Sequence, residues 1–120
     1  MKSCPLETSP LDRELIADTL ARVGDKWSIQ VLWSLEDQAV RFNELRRRLT
    51  VSQKVLTACL RSLERDGLVS RTSAPSQSPK VEYALTDRGR ELLGPVRDLA
   101  RWTYERSEDI QISRRRYGEA

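Results

Sequence analysis

The sequence predicts a mainly α-helical domain that carries one small β-hairpin. Apolar residues recur at helical spacing through residues 11–23 and again through 52–66, and a glycine (Gly24, Gly67) follows each stretch. Lys80–Leu85 alternates polar and apolar, and a Ser- and Pro-rich stretch at 73–79 separates it from a second short β-prone run, Leu68–Thr72. At 120 residues the chain is one small domain, or one domain with a dimerisation appendage. A chain of this size buries about two-thirds of its unfolded surface, enough for a real but thin core.

Each element has its own signal. The first helix follows Pro10 and spans Leu11–Val23, with Leu11, Leu15, Ile16, Leu20 and Val23 near helical spacing. A short second helix from Asp25 or Lys26 to Leu35 is apolar on most sides and is therefore the buried one; polar Glu36-Asp37-Gln38 breaks it. In Arg41–Leu49, Phe42, Leu45 and Leu49 form a stripe and the arginines lie outside it. The link Thr50-Val51 is very short, and Ser52 stands at the N-cap of a helix that runs to about Asp66. Two helices joined by so tight a turn, the second apolar behind and basic in front, make a helix-turn-helix. The hairpin that follows directly is a wing, so the architecture is a winged helix-turn-helix.

Thr86 or Asp87 then caps a segment running to about Glu108, with a bend expected at Gly94-Pro95. Beyond a winged core, such an amphipathic helix has little left to bury on its own domain, so another subunit is its expected partner. The expected division is an arm at 1–10, the winged domain at 11–86, a dimerisation helix at 87–109 and a frayed basic tail at 110–120 containing Arg114-Arg115-Arg116.

Composition narrows the function. The chain is 38% hydrophobic and 32% charged, with a mean hydropathy of -0.59. No apolar run reaches the roughly 18 residues of a membrane span, and Met1–Pro5 lacks a signal peptide's apolar core. The expected location is the cytoplasm, away from membranes. Histidine is absent, and the two cysteines, Cys4 and Cys59, are far apart and form no CxxC pair. Neither a dinucleotide nor a P-loop fingerprint occurs. No enzyme, metal site or cofactor is expected.

Charge is more telling by region. Residues 41–71 hold 8 Lys/Arg against 3 Asp/Glu, a net of +5, whereas residues 1–40 net -3 and residues 72–120 net +1. A basic middle third between acidic and balanced flanks is the footprint of a polyanion contact.

On a helical wheel of about 100° per residue, Val55, Leu56, Cys59, Leu60 and Leu63 share one face of the 52–66 helix. Lys54, Thr57, Ala58, Arg61 and Arg65 lie opposite, and Gln53 sits at the boundary. The N-terminal half of a recognition helix meets base edges. From Ser52 onward, Gln53 suits adenine, Lys54 or Arg61 suits guanine, and Ala58 or the Thr57 methyl suits a thymine methyl. Arg65 lies further along, towards phosphate or solvent. Arg46, Arg47 and Arg48 splay around their helix, so one or two of them, Arg46 and Arg47, are expected on phosphates, with Arg71 and Lys80 joining from the wing. The expected partner is double-stranded operator DNA.

The order and spacing of several blocks resemble the HxlR-type winged helix-turn-helix regulators of bacteria. The blocks are Cys4-Pro5, Gly24-Asp25-Lys26-Trp27-Ser28, Arg41–Leu45, Ser52–Thr57, Leu60–Val69 and Val81–Thr86. The resemblance covers about residues 4–104. It implies a homodimer on pseudo-palindromic promoter DNA, usually a repressor, with the first and last helices forming most of the subunit contact. Leu11, Leu15, Leu92, Val96, Leu99 and Trp102 are the expected interface residues. The resemblance also implies a sensing cysteine near the N-terminus, where Cys4 stands. One departure is Thr50-Val51, where such regulators often carry Gly-Ile; valine is ill suited to a left-handed turn.

Cys59, on the apolar face, reads as a small core residue. Cys4 lies in a polar arm beside Lys2, where a cation favours thiolate, and is the expected redox or electrophile sensor. Two further readings stand beside it. In one, the regulator answers to a small-molecule effector held between subunits near Trp27, Trp33 and Trp102; in the other, the winged helix is a protein-interaction adaptor without DNA contact. Steep salt dependence of DNA binding separates the adaptor from the regulators.

Overall fold

A computed structural model describes residues 9–73 and 81–119. Cys4, the wing tip and Lys80 lie outside the described residues. In chain order the elements are α1 (Pro10–Gly24), α2 (Lys26–Ser34), β1 (Val40–Arg41), α3 (Phe42–Leu49), α4 (Gln53–Arg65), β2 (Val69–Ser73), β3 (Val81–Leu85), α5 (Asp87–Glu105) and α6 (Ser107–Glu119).

Local chemistry sets most of the boundaries. Ser9 caps α1 by accepting from the Asp12 amide, and Pro10 occupies the first turn, where its missing N–H is harmless. Asp25, Ser52 and Thr86 cap α2, α4 and α5 by the same side-chain-to-amide bond. Gly67, at φ +76, closes α4 in the left-handed region. Thr50, at φ 51 and ψ 54, makes the corresponding turn after α3 without the benefit of glycine.

The core is built from α2, α3, α4, the sheet and the first half of α5. Val31, Leu32, Leu35, Leu45, Leu56, Leu60, Leu63 and Leu93 are all but sealed from solvent. α2 is the buried helix, as its apolar composition predicts. Gly89 is held close to the chain's own backbone: a Cβ there would collide with the Leu68 carbonyl. The approach is needed because Thr86 N–H donates to that carbonyl at 3.1 Å while its hydroxyl donates to the Gly67 carbonyl at 2.6 Å.

Four expectations are corrected. The sheet has three antiparallel strands in the order β1-β3-β2, not two, because Val40 and Arg41 pair with Tyr83 and Glu82. Two residues between a helix breaker and a helix carry no periodicity to read. Val55 shares the wheel's apolar face, yet it is 40% exposed at the edge of the packed stripe. Val96, expected at the subunit contact, is 5% exposed and buried in the protomer's own core with Leu93, while Leu92 packs half-buried against that core. α5 therefore serves its own domain first and projects only beyond Val96.

The fourth correction concerns the tail, which is helical. α6 has acidic residues, Glu108 and Asp109, in its first turn and Arg116 in its last, the arrangement that suits the helix dipole. α1 and α6 bury no residue, and the radius of gyration is 17.7 Å against about 14 Å for a compact chain of this length. The protomer measures 62 × 38 × 24 Å. No described helix is long and apolar enough to cross a membrane.

Candidate nucleic-acid interface

The site grows from the packing of α4. Leu56, Leu60 and Leu63 are buried against the core, which fixes the rotation of the helix about its axis and turns the opposite face to solvent. Ser52 holds the first turn by accepting from the Val55 amide at 3.2 Å. Gln53, Lys54, Thr57, Ala58 and Arg61 then line one shallow depression, so the five residues singled out as base readers share a single surface. Lys54, Ala58 and Arg61 are exposed and Thr57 is half-buried.

A second depression adjoins α3 and the turn. Asn43, Arg46, Arg47, Thr50 and Val51 line it. Arg41, Phe42, Asn43, Glu44, Arg47, Val81 and Tyr83 line a third hollow between α3 and the base of the wing. Asn43 and Arg41 were not singled out from sequence. The signal was available: Asn43 precedes Arg46 and Arg47 by three and four positions, the spacing that puts all three on one helical face.

The arginines differ in freedom. Glu44 pairs with Arg47 and, at 3.1 Å, with Arg48. Arg71 Nε lies 3.8 Å from Glu64 on α4, tying the wing to the recognition helix. Arg46, Lys54 and Arg61 have no ion pair among the described residues. The helix end is tethered through Asp66, whose carboxylate accepts from Arg22 Nε at 3.0 Å and whose carbonyl accepts from Arg88 at 3.1 Å.

Cys59 lies behind this face. It is buried, its sulfur 3.5 Å from the Ser28 hydroxyl, which donates to Asp25 at 2.5 Å. Burial pushes the thiol above its ordinary pKa, so the thiolate is disfavoured and the residue acts as a core side chain. Trp27 lines a small cleft of about 290 Å³ beside Cys59, while Trp33 and Trp102 are partly open to solvent. Among the described residues no cluster of metal-ligating side chains occurs.

A family model described as HxlR-like helix-turn-helix matches residues 22–111, a span that includes the whole described interface. The chain belongs to the HxlR-like helix-turn-helix family. It is a helix-turn-helix-type transcriptional regulator with a winged-helix fold.

Similar known proteins agree with its being a helix-turn-helix regulator. A helix-turn-helix-type transcriptional regulator of Halalkalibacterium halodurans is 44% identical over 86 residues, 70% of this chain and 76% of the relative. A transcriptional regulator from Enterococcus faecalis, assigned to the MarR family, superposes with a TM-score of 0.75 at 32% identity, covering 91% of this chain and 98% of that one. The redox regulator HypR in its reduced form superposes with a TM-score of 0.70 at 36% identity, covering 80% and 96%.

Proposed function

We propose that this HxlR-like chain is a homodimeric repressor that reads a pseudo-palindromic operator with α4. The observation that carries this reading is the common depression lined by Gln53, Lys54, Thr57, Ala58 and Arg61 at the outer face of the helix. Helix-turn-helix proteins insert that part of the recognition helix into the major groove. Arg46 and Arg47, with Asn43 between them and the wing, grip phosphate; Arg71 and Lys80 extend the grip along the wing. Two such heads need half-sites about one helical turn apart.

The dimer forms through the residues that the core leaves uncovered. Leu11 and Leu15 on α1 and Leu99 and Trp102 on α5 are each about half exposed or more. Exposed apolar residues grouped on a helix suit contact with a second copy.

A thiol switch at Cys4 is the second reading. The similarity to HypR, a redox regulator, favours it. So does the burial of Cys59, which leaves Cys4 as the thiol suited to reaction with oxidants or electrophiles.

Fluorescence anisotropy on DNA upstream of the protein's own gene tests both readings. The reduced protein is expected to bind tightly and with steep salt dependence, and mild thiol oxidation is expected to release it. Binding no tighter than to random DNA, at that site and at others recovered by selection, removes the repressor. Release that persists in Cys4→Ser removes the switch.

A further inference from the structure

We infer that α6 is a self-complementary clasp, in which the helix of one copy lies antiparallel against α6 of a second copy with Ile112 on the two-fold axis. The inference rests on the homodimer proposed above and assigns a contact that lies largely outside the matched family region, which ends at residue 111.

α6 presents six charges that the chain does not use. Glu108, Asp109, Arg114, Arg115, Arg116 and Glu119 are exposed, and none takes part in an ion pair among the described residues. Glu108 and Asp109 stand in the first turn and Arg114–Arg116 further along, with half-buried Ile112 between them and Glu119 at the end.

The helical period sorts four of these charges onto two flanks, while Arg114 falls on the far side of the helix and Glu119 close to the line of Ile112. At about 100° per residue, Glu108 and Arg115 fall roughly 40–60° to one side of Ile112, and Asp109 and Arg116 fall roughly 40–60° to the other. Each flank thus holds one acid and one base, seven positions apart, or about 10 Å along the axis. That separation is too great for a pair within one helix.

A two-fold axis through Ile112 perpendicular to the plane of the two helices keeps each flank on its own side and reverses its direction. Glu108 then meets the second copy's Arg115, Asp109 meets its Arg116, and the symmetry doubles both pairs. The isoleucines meet at the centre. A parallel arrangement would instead set acid against acid and arginine against arginine.

Sedimentation of the full chain at low salt, with charge-reversed variants, tests the clasp. Glu108→Arg with Asp109→Arg, or Arg115→Glu with Arg116→Glu, is expected to weaken self-association roughly tenfold or more. Mixing the two variants restores complementary pairing, so association is expected to return. Ile112→Cys is expected to form a disulfide between copies under mild oxidation, and Ser107→Cys is not. If the wild type associates and both reversals associate as well, or Ile112→Cys gives no 112–112 cross-link, the clasp is overturned while the homodimer stands. A wild type that stays monomeric at every concentration overturns both.

Discussion

Arg22 Nε donates to the Asp66 carboxylate at 3.0 Å, joining the last turn of α1 to the C-cap of the recognition helix α4. Both side chains are only partly exposed. Arg88 on α5 reaches the carbonyl of the same aspartate, so Asp66 ties α4 to both helices that frame the domain. The pair is separated by 44 positions in sequence, which is why no local pattern announces it.

Breaking this tie should cost little stability and more affinity. Asp66→Asn is expected to lower the unfolding free energy by about 0.5–1 kcal/mol, the range for a partly exposed pair. A double-mutant cycle with Arg22→Ala in urea measures the coupling. The same variants should bind operator more weakly than that loss explains if the tether orients α4.

The turn of the helix-turn-helix carries a correctable strain. Thr50 is held left-handed, a conformation that costs an ordinary residue about 1 kcal/mol or more. Thr50→Gly is expected to raise stability by up to about 1 kcal/mol, the relief being partly offset by the greater entropy of unfolded glycine. Urea denaturation checks the sign, and a decrease would refute the assignment of strain.

Gly89 makes the opposite prediction. A methyl group there strikes the Leu68 carbonyl, which the Thr86 amide needs, so Gly89→Ala is expected to destabilise by about 2–3 kcal/mol. A fall in melting temperature measures it.

Glu44 holds Arg47 and Arg48 in ion pairs beside the proposed DNA surface. Glu44→Gln should tighten binding to all sequences and steepen the salt dependence, since two guanidiniums are freed for phosphate. Arg61→Ala should instead lose discrimination between sites, by about 1–3 kcal/mol if it reads a base. Titrations on operator and random DNA at several salt concentrations separate the two behaviours.

Cys59 supplies a pH signature. Its thiol pKa is raised by burial, so the folded state disfavours the thiolate that the unfolded chain forms readily. This loses stability only as pH rises from the unfolded thiol value towards the higher folded one. Unfolding free energy should therefore fall above about pH 8.5–9, and Cys59→Ala should flatten that part of the curve.

Much of this was legible in the chain. Ser52, Gly67 and the apolar stripe of Leu56, Leu60 and Leu63 specify α4 and its exposed face by local rules alone, and the placement of Gln53, Lys54, Thr57, Ala58 and Arg61 on that face follows. The rest depended on tertiary facts. Val55 satisfies the wheel but lines an open cleft with Arg22 and Trp27, 40% exposed. Val96 continues an exposed-looking stripe but is buried in the protomer's own core. The tail at 110–120 has too few apolar residues for a stripe, and its helix follows from charge order rather than burial. Asn43 shares a face with two arginines, yet only the nearness of β3 shows that this face continues into the wing.

The end of burial at Val96 divides the molecule's labour at a single residue. Upstream, every helix from α2 to early α5 is held by the chain's own interior; downstream, the rest of α5 and α6 owe the interior almost nothing. A protease acting past that point should therefore shorten the assembly surface while leaving the reading head intact. Substitutions there should alter the proposed self-association while leaving the proposed DNA-reading face undisturbed.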